Sequence, residues 1–256
     1  MRTSLICGAV SAIALALAAH AQAQTRQPGL DAMADMHKPG IYHGFTLETD
    51  LSRKDDETTG RWDLDGWVGG DINKLWLKSE GEVTGGKTEK AELWAMYSRN
   101  VATFWDVQVG VREDFRPSLS PLPGVPAAKA HTYFTTGVEG LAPYFFETEA
   151  HVFVRDDGAI SARLRQENQW LITQRLIVRP RIEINLNGKD DPALGLGTGL
   201  TDASIGIQTR YEIRREFAPY LDLTYDQKFG RTADYARLRG EKPTDTRLSV
   251  GIRWMF

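Results

Sequence analysis

The chain has 256 residues and a formal net charge of −3, with 31 basic against 34 acidic side chains. That balance excludes the basic excess with which nucleic-acid binders follow a phosphate backbone. A single cysteine, Cys7, excludes disulfides as a source of stability while leaving an oxidising compartment compatible.

At the N-terminus, Arg2 precedes an apolar run from Leu5 to Ala18. Ala19-His20-Ala21 or Ala21-Gln22-Ala23 then offers a small-residue cleavage site. This pattern predicts a secretory signal peptide over residues 1–23. Its apolar run is shorter than the roughly 20 residues that a transmembrane helix needs. A short tail, residues 24–43, follows.

From Gly44 to Phe256 apolar and polar residues alternate with period two, the mark of strands with one apolar face. Twelve segments are predicted, at 44–53, 61–70, 74–83, 90–99, 103–113, 131–140, 144–155, 159–170, 175–187, 203–213, 219–228 and 245–256. Most match the roughly 9–11 residues of a tilted membrane strand. In 175–187, Leu176, Val178, Ile182, Ile184 and Leu186 oppose Arg179, Arg181, Glu183 and Asn185. Pro180 interrupts that segment without a ladder donor, which predicts a bulge or a split. In 245–256, Leu248, Val250, Ile252, Trp254 and Phe256 oppose Arg247, Ser249, Gly251 and Arg253. Such polar faces require water or a polar lumen.

The connections are read as alternately longer (54–60, 84–89, 114–130, 188–202, 229–244) and shorter, the asymmetry of outer-membrane barrels. Trp62, Tyr97, Trp105, Trp170, Tyr211, Tyr225 and Trp254 fall on apolar faces, many near strand ends, as in interfacial aromatic girdles. The chain closes on Ser249-x-Gly251-x-x-Trp254-x-Phe256. That ending looks like the signal by which Trp254 and Phe256 engage the bacterial barrel-assembly machinery. The fold class expected is therefore all-β: a closed antiparallel transmembrane β-barrel of about 12 strands over 44–256, in contact with outer-membrane lipid.

Several ordered motifs carry a more specific resemblance. Gly69-Gly70-Asp71-Ile72-Asn73-Lys74-Leu75-Trp76-Leu77-Lys78 comes first, followed by Glu80-Gly81-Glu82, Ala91-Glu92-Leu93 and Tyr97-Ser98-Arg99. Gly140-Leu141-Ala142-Pro143-Tyr144 and Asn185-Leu186-Asn187-Gly188-Lys189-Asp190-Asp191-Pro192 come next. Arg214-Arg215-Glu216-Phe217-Ala218-Pro219-Tyr220 and Phe229-Gly230-Arg231-Thr232-Ala233-Asp234-Tyr235-Ala236 complete the set. In this order they resemble the copper resistance protein B family across residues 41 to 256. The resemblance implies copper tolerance at the outer membrane, a copper ion as the bound species and a periplasmic copper protein as partner.

Family members often carry a long Met- and His-rich N-terminal segment. Here it shrinks to Met33, Met36, His37 and His43. Thioether and imidazole are suitable ligands for Cu(I), and imidazole also for Cu(II), so these four are the tail metal candidates. Incidental methionines in a leader are the competing explanation.

Inside the barrel, Glu147, Glu149 and His151 share one inward face near Arg163, Arg165 and Glu167. Arg179, Arg181, Glu183, Arg210, Glu212, Asp222, Asp226, Lys228 and Arg253 also point inward on the same pattern. Their pairing predicts a filled lumen or a tight pore. His151 with Glu149 is the lumenal metal candidate, against a plain hydrogen-bonded histidine. Met96 is explained by contact with Trp94, and Asp190-Asp191 by a charged turn, with calcium as the alternative. A purely structural barrel and an outer-membrane hydrolase are the other functional readings. The hydrolase lacks a serine motif to accompany its histidines.

Overall fold

The computed structural model describes residues 40–54, 57–115, 122 and 124–256. The predicted signal peptide and Met33, Met36 and His37 lie outside the described residues. The sheet has 13 strands: β1 (Tyr42–Lys54), β2 (Glu57–Gly69), β3 (Asn73–Thr84), β4 (Lys87–Ala102), β5 (Trp105–Phe115), β6 (His131–Ala142), β7 (Phe146–Arg155), β8 (Ile160–Glu167), β9 (Trp170–Leu171), β10 (Leu176–Asn187), β11 (Gly199–Tyr211), β12 (Phe217–Lys228) and β13 (Thr244–Met255). Neighbours pair antiparallel, and β13 returns to β1 from Thr46↔Met255 to Ser52↔Ser249. Because β8 and β9 both pair with β10 as pieces of one stave, the result is a closed barrel of 12 staves. Closure of β13 onto β1 removes the open sheet edge that could not persist in lipid. Among the described residues no helix is long and apolar enough to cross a membrane.

Pro180 explains the broken stave. β10 itself runs through the proline without interruption, paired as Pro180↔Ile207 on its β11 side. On the other side pairing stops at Arg181↔Glu167 and resumes at Val178↔Trp170. The Asn168 amide still donates to the Pro180 carbonyl at 3.1 Å, but Pro180 has no N–H to return. The split expected from the sequence therefore falls on the neighbouring strand.

Alternation sets the two faces. Leu248 and Val250 of β13 are exposed, whereas Ser249 between them is buried; on β11 Ile205 and Ile207 are exposed while Gln208 is buried. The barrel thus turns its apolar side chains outward and its polar ones inward, inverting a soluble protein. At about 3.3 Å per residue and a tilt near 40°, a 12-residue strand rises about 30 Å, enough to span the apolar band. Among the described residues, an apolar cluster inside consists of Trp94, Met96, Tyr133 and Phe153, with Trp76 packed against it.

Both described ends of the chain lie at one end of the barrel, with the connections 70–72, 103–104, 143–145, 172–175 and 212–216. The opposite end differs from the expected row of long loops. β1 and β2 are separated by two residues only, and β3 and β4 by Gly85-Gly86, whose positive φ values (57° and 80°) suit a tight hairpin. The longer connections there include 188–198 and 229–243. The second holds a helix, α1 (Gly230–Leu238), which the period-two reading missed.

Candidate functional site: the ion-paired lumen

Side chains from strands far apart around the barrel meet in its interior. Arg163 on β8 reaches Glu80 on β3 at 2.7 Å and Glu92 on β4 at 3.2 Å. Lys78 on β3 meets Glu149 on β7 at 2.5 Å, and also Asp65 (3.0 Å) and Glu139 (3.4 Å). Arg179 on β10 meets Glu48 on β1 at 2.6 Å. Arg165 contacts Glu80 and Glu183, and Arg181 contacts Asp222. These ties cross the lumen, so the interior is filled as well as lined. The pairing expected from the sequence is present, and most of the strongest pairs join non-adjacent strands.

Glu92 is the hub. Its side chain is almost wholly buried and receives Arg112 (3.1 Å), Arg163 (3.2 Å), Lys90 (3.4 Å) and the Trp94 indole N–H (3.3 Å). Arg112 also pairs with Asp114 at 2.5 Å and lies over the rings of Trp94, Tyr133 and Phe153, 4.6–5.1 Å from their centroids. A guanidinium held between carboxylates and aromatic faces retains favourable contacts on its edges and its planes. Met96, fully buried, packs in this cluster, as expected from a sulfur–aromatic contact.

His151 and Glu149 do share an inward face, but they serve different partners. The His151 Nε2 faces Gln108 Oε1 at 2.8 Å, and the Gln108 amide donates to Glu139 Oε2 at 2.9 Å. With Gln108 so oriented, its oxygen is the acceptor and His151 carries the proton on Nε2. The imidazole stands edge-on to Trp94 (5.4 Å) and stacked on Phe153 (6.2 Å). Gly137 makes room for it, since a Cβ there would sit 2.5 Å from His151 Cδ2. Glu149 is taken by Lys78. Among the described residues no group of three or more His, Cys, Asp or Glu side chains is placed to hold a metal ion. A recess of about 160 Å³ lies near Glu139, Glu147, Glu149 and Arg165.

His43, the last tail candidate, is the second residue of β1, paired opposite Val68 and exposed. It stands at the barrel end where the tail joins. At the other end, Asp190 and Asp191 are occupied by the loop itself. Asp190 accepts the Thr198 amide and pairs with Arg231 of α1; Asp191 caps the Leu194 amide and meets Arg155 at 2.5 Å. The Thr198 amide foremost, with Arg231, holds the Asp190 carboxyl below the usual range. The Thr232 hydroxyl accepts the Gly197 amide, and Arg239 donates to the Pro192 carbonyl, docking α1 on the 188–198 loop. These tertiary ties were not visible in the sequence; the small Ala233 and Ala236 on one buried helix face are the signal that could have suggested them.

Comparison with known proteins agrees with this architecture. Residues 45–256 match the family model described as copper resistance protein B precursor. A copper resistance protein B from Escherichia coli is 41% identical over 222 residues, covering 86% of this chain and 72% of that protein. A homolog from Pseudomonas syringae pv. tomato is 44% identical over 195 residues, covering 76% of this chain and 63% of that protein. Among solved structures, the NanC porin superposes with a TM-score of 0.55 at 10% identity, covering 82% of this chain and 98% of its own. The KdgM porin gives 0.50 at 11% identity, covering 83% and 99%. At such identity the porins speak for the fold alone. With a family model spanning the barrel and relatives above 40% identity, this outer-membrane β-barrel belongs to the copper resistance protein B family, which supports a role in copper resistance.

Proposed function

We propose that this protein contributes to copper tolerance by capturing copper at the terminus-bearing end of the barrel, with Met33, Met36, His37 and His43 as donors. The observation that carries this reading is the state of the lumen: Glu149 is bound by Lys78, His151 by Gln108, and ion pairs cross the interior. A copper ion inside would have to break these contacts before finding two donors. Thioether sulfur and imidazole, the donor types of the tail, suit Cu(I) by their softness. The barrel then serves as the membrane platform that holds the capture segment at the surface. A periplasmic copper protein is the partner that fits such a site. Assembly in the membrane would begin from Trp254 and Phe256, read by the barrel-assembly machinery.

Copper titration of the detergent-folded chain tests this. Removing residues 24–39 and replacing His43 by Ala is expected to abolish high-affinity binding. Binding that survives both changes but is lost in His151→Ala would move the site to the lumen. No binding in any form would leave a barrel whose part in copper resistance is indirect.

A further inference from the structure

The five connections at the terminus-bearing end share a feature that is nearly missing from the described connections at the other end. Each carries an exposed large apolar residue outside any strand: Ile72, Phe104, Tyr144 with Phe145, Ile172 and Ile213. The two described chain ends add Ile41 and Phe256. At the opposite end, among described residues outside strands, only Leu238 belongs to this class, amid Gly85-Gly86, Asp156-Asp157-Gly158 and Lys189-Asp190.

Backbone geometry gives an independent sign. Phe104, Tyr144 and Phe145 have φ of 67°, 64° and 63°, and they are the described non-glycine residues with positive φ. L-residues avoid this region because Cβ crowds the neighbouring carbonyl, and aromatic residues are poor choices for it. Here the strained conformation presents the rings outward, at 67%, 86% and 76% exposure. A turn whose tip lay in water would be served better by Gly or Asn.

We propose that these turn tips are a lipid-contacting rim, set into the headgroup region of the adjoining leaflet rather than projecting into the aqueous compartment. Three observations select lipid over a protein partner. The apolar residues occur at every connection around the circumference, whereas a docked protein calls for a one-sided patch. They continue the outward-facing band, through Val101 and Trp170. Phe104, Tyr144, Phe145 and Trp170 are also aromatic, the residue type that fits a boundary apolar on one side and wet on the other. The rim goes beyond the usual girdle on strand ends, because the turns themselves enter the interface.

Nitroxide scanning tests this in vesicles of phosphatidylcholine and phosphatidylglycerol. Cys7 is the chain's only cysteine, so in a Cys7→Ser background one introduced cysteine is labelled alone. Labels at Phe145→Cys and Ile213→Cys are expected to collide with oxygen in preference to a water-soluble nickel chelate, approaching the lipid-facing control Val152→Cys. A label at Asp157→Cys is expected to prefer the chelate. Heat-modifiable gel mobility checks folding, and the two rim sites guard against failure of either. Chelate access at the rim equal to that at Asp157 would overturn the proposal, as would protection from both reagents, which signifies cover by protein.

Discussion

Replacing Glu92 by Gln offers a measured test of the filled lumen. The change preserves shape and removes one charge from a carboxylate that three cations approach within 3.4 Å, two of them, Arg112 and Arg163, held in the interior. Removing one partner from a buried ion pair strands the other, at a cost of about 3–5 kcal/mol. Asp114 and Glu80 retain part of the pairing of Arg112 and Arg163, which places the expected loss near the lower end, at about 3 kcal/mol. With urea slopes of roughly 1–3 kcal/mol per molar, the unfolding midpoint should fall by about 1–3 M. Tryptophan fluorescence of the vesicle-inserted barrel reads it. The half-exposed pair Lys228–Glu241 is the control, and Glu241→Gln should cost less than about 1 kcal/mol. Adding Arg163→Met to Glu92→Gln should recover part of the loss. A Glu92→Gln loss within about 0.5 kcal/mol, the range of ordinary surface substitutions, would mean that the hub is hydrated as at a surface and the lumen is not filled.

Other consequences follow from the same contacts. Gly137→Ala places a Cβ 2.3 Å from the Ala150 carbonyl and 2.5 Å from His151, so a loss of about 1–3 kcal/mol is expected in the same urea assay. Deleting Phe256 removes its reciprocal backbone bonds with Phe45, at 2.9 and 3.0 Å, and the stacking of the two rings; slower barrel closure in refolding gels is the expected result. In the loops, Arg155 foremost, then the Ala159 amide, hold the Asp157 carboxyl well below its ordinary value. A depressed carboxylate stabilises above its unfolded pKa of about 3.9 and loses that contribution as pH falls through the folded value. Exchange protection of the Ala159 and Thr198 amides, bonded to Asp157 and Asp190, should therefore hold from pH 8 to about pH 5 and decline only in stronger acid. Decline already near neutrality would contradict the clamp.

The staves were legible because alternation is written locally: the predicted 175–187 and 245–256 became β10 and β13 within a residue at each end. Connection lengths were less so. Residues 57–60 and 87–89 are polar enough to read as loop, yet closure of the ladder recruits them into β2 and β4. The helix α1 depends on its docking against 188–198, a tertiary fact. In the lumen, the sequence told that charges such as Arg163, Arg179 and Glu183 point inward, but not that Glu48, Lys78, Glu80 and Arg112 join them, nor which partners meet. Strand tilt and closure bring Arg163 to Glu80 and Glu92 across the barrel, and no local pattern encodes that meeting. His151 beside Glu149 looked like a ligand pair for the same reason; Gln108 and Lys78, distant in sequence, engage them separately.

Copper capture at the barrel mouth, as proposed above, requires that ion pairs close the interior. Planar-bilayer recording of the folded protein tests it most directly. The wild type is expected to pass no steady ohmic current, with current emerging when Lys78 and Arg163 are both replaced by Ala. A stable porin-like conductance from the unaltered protein would contradict it.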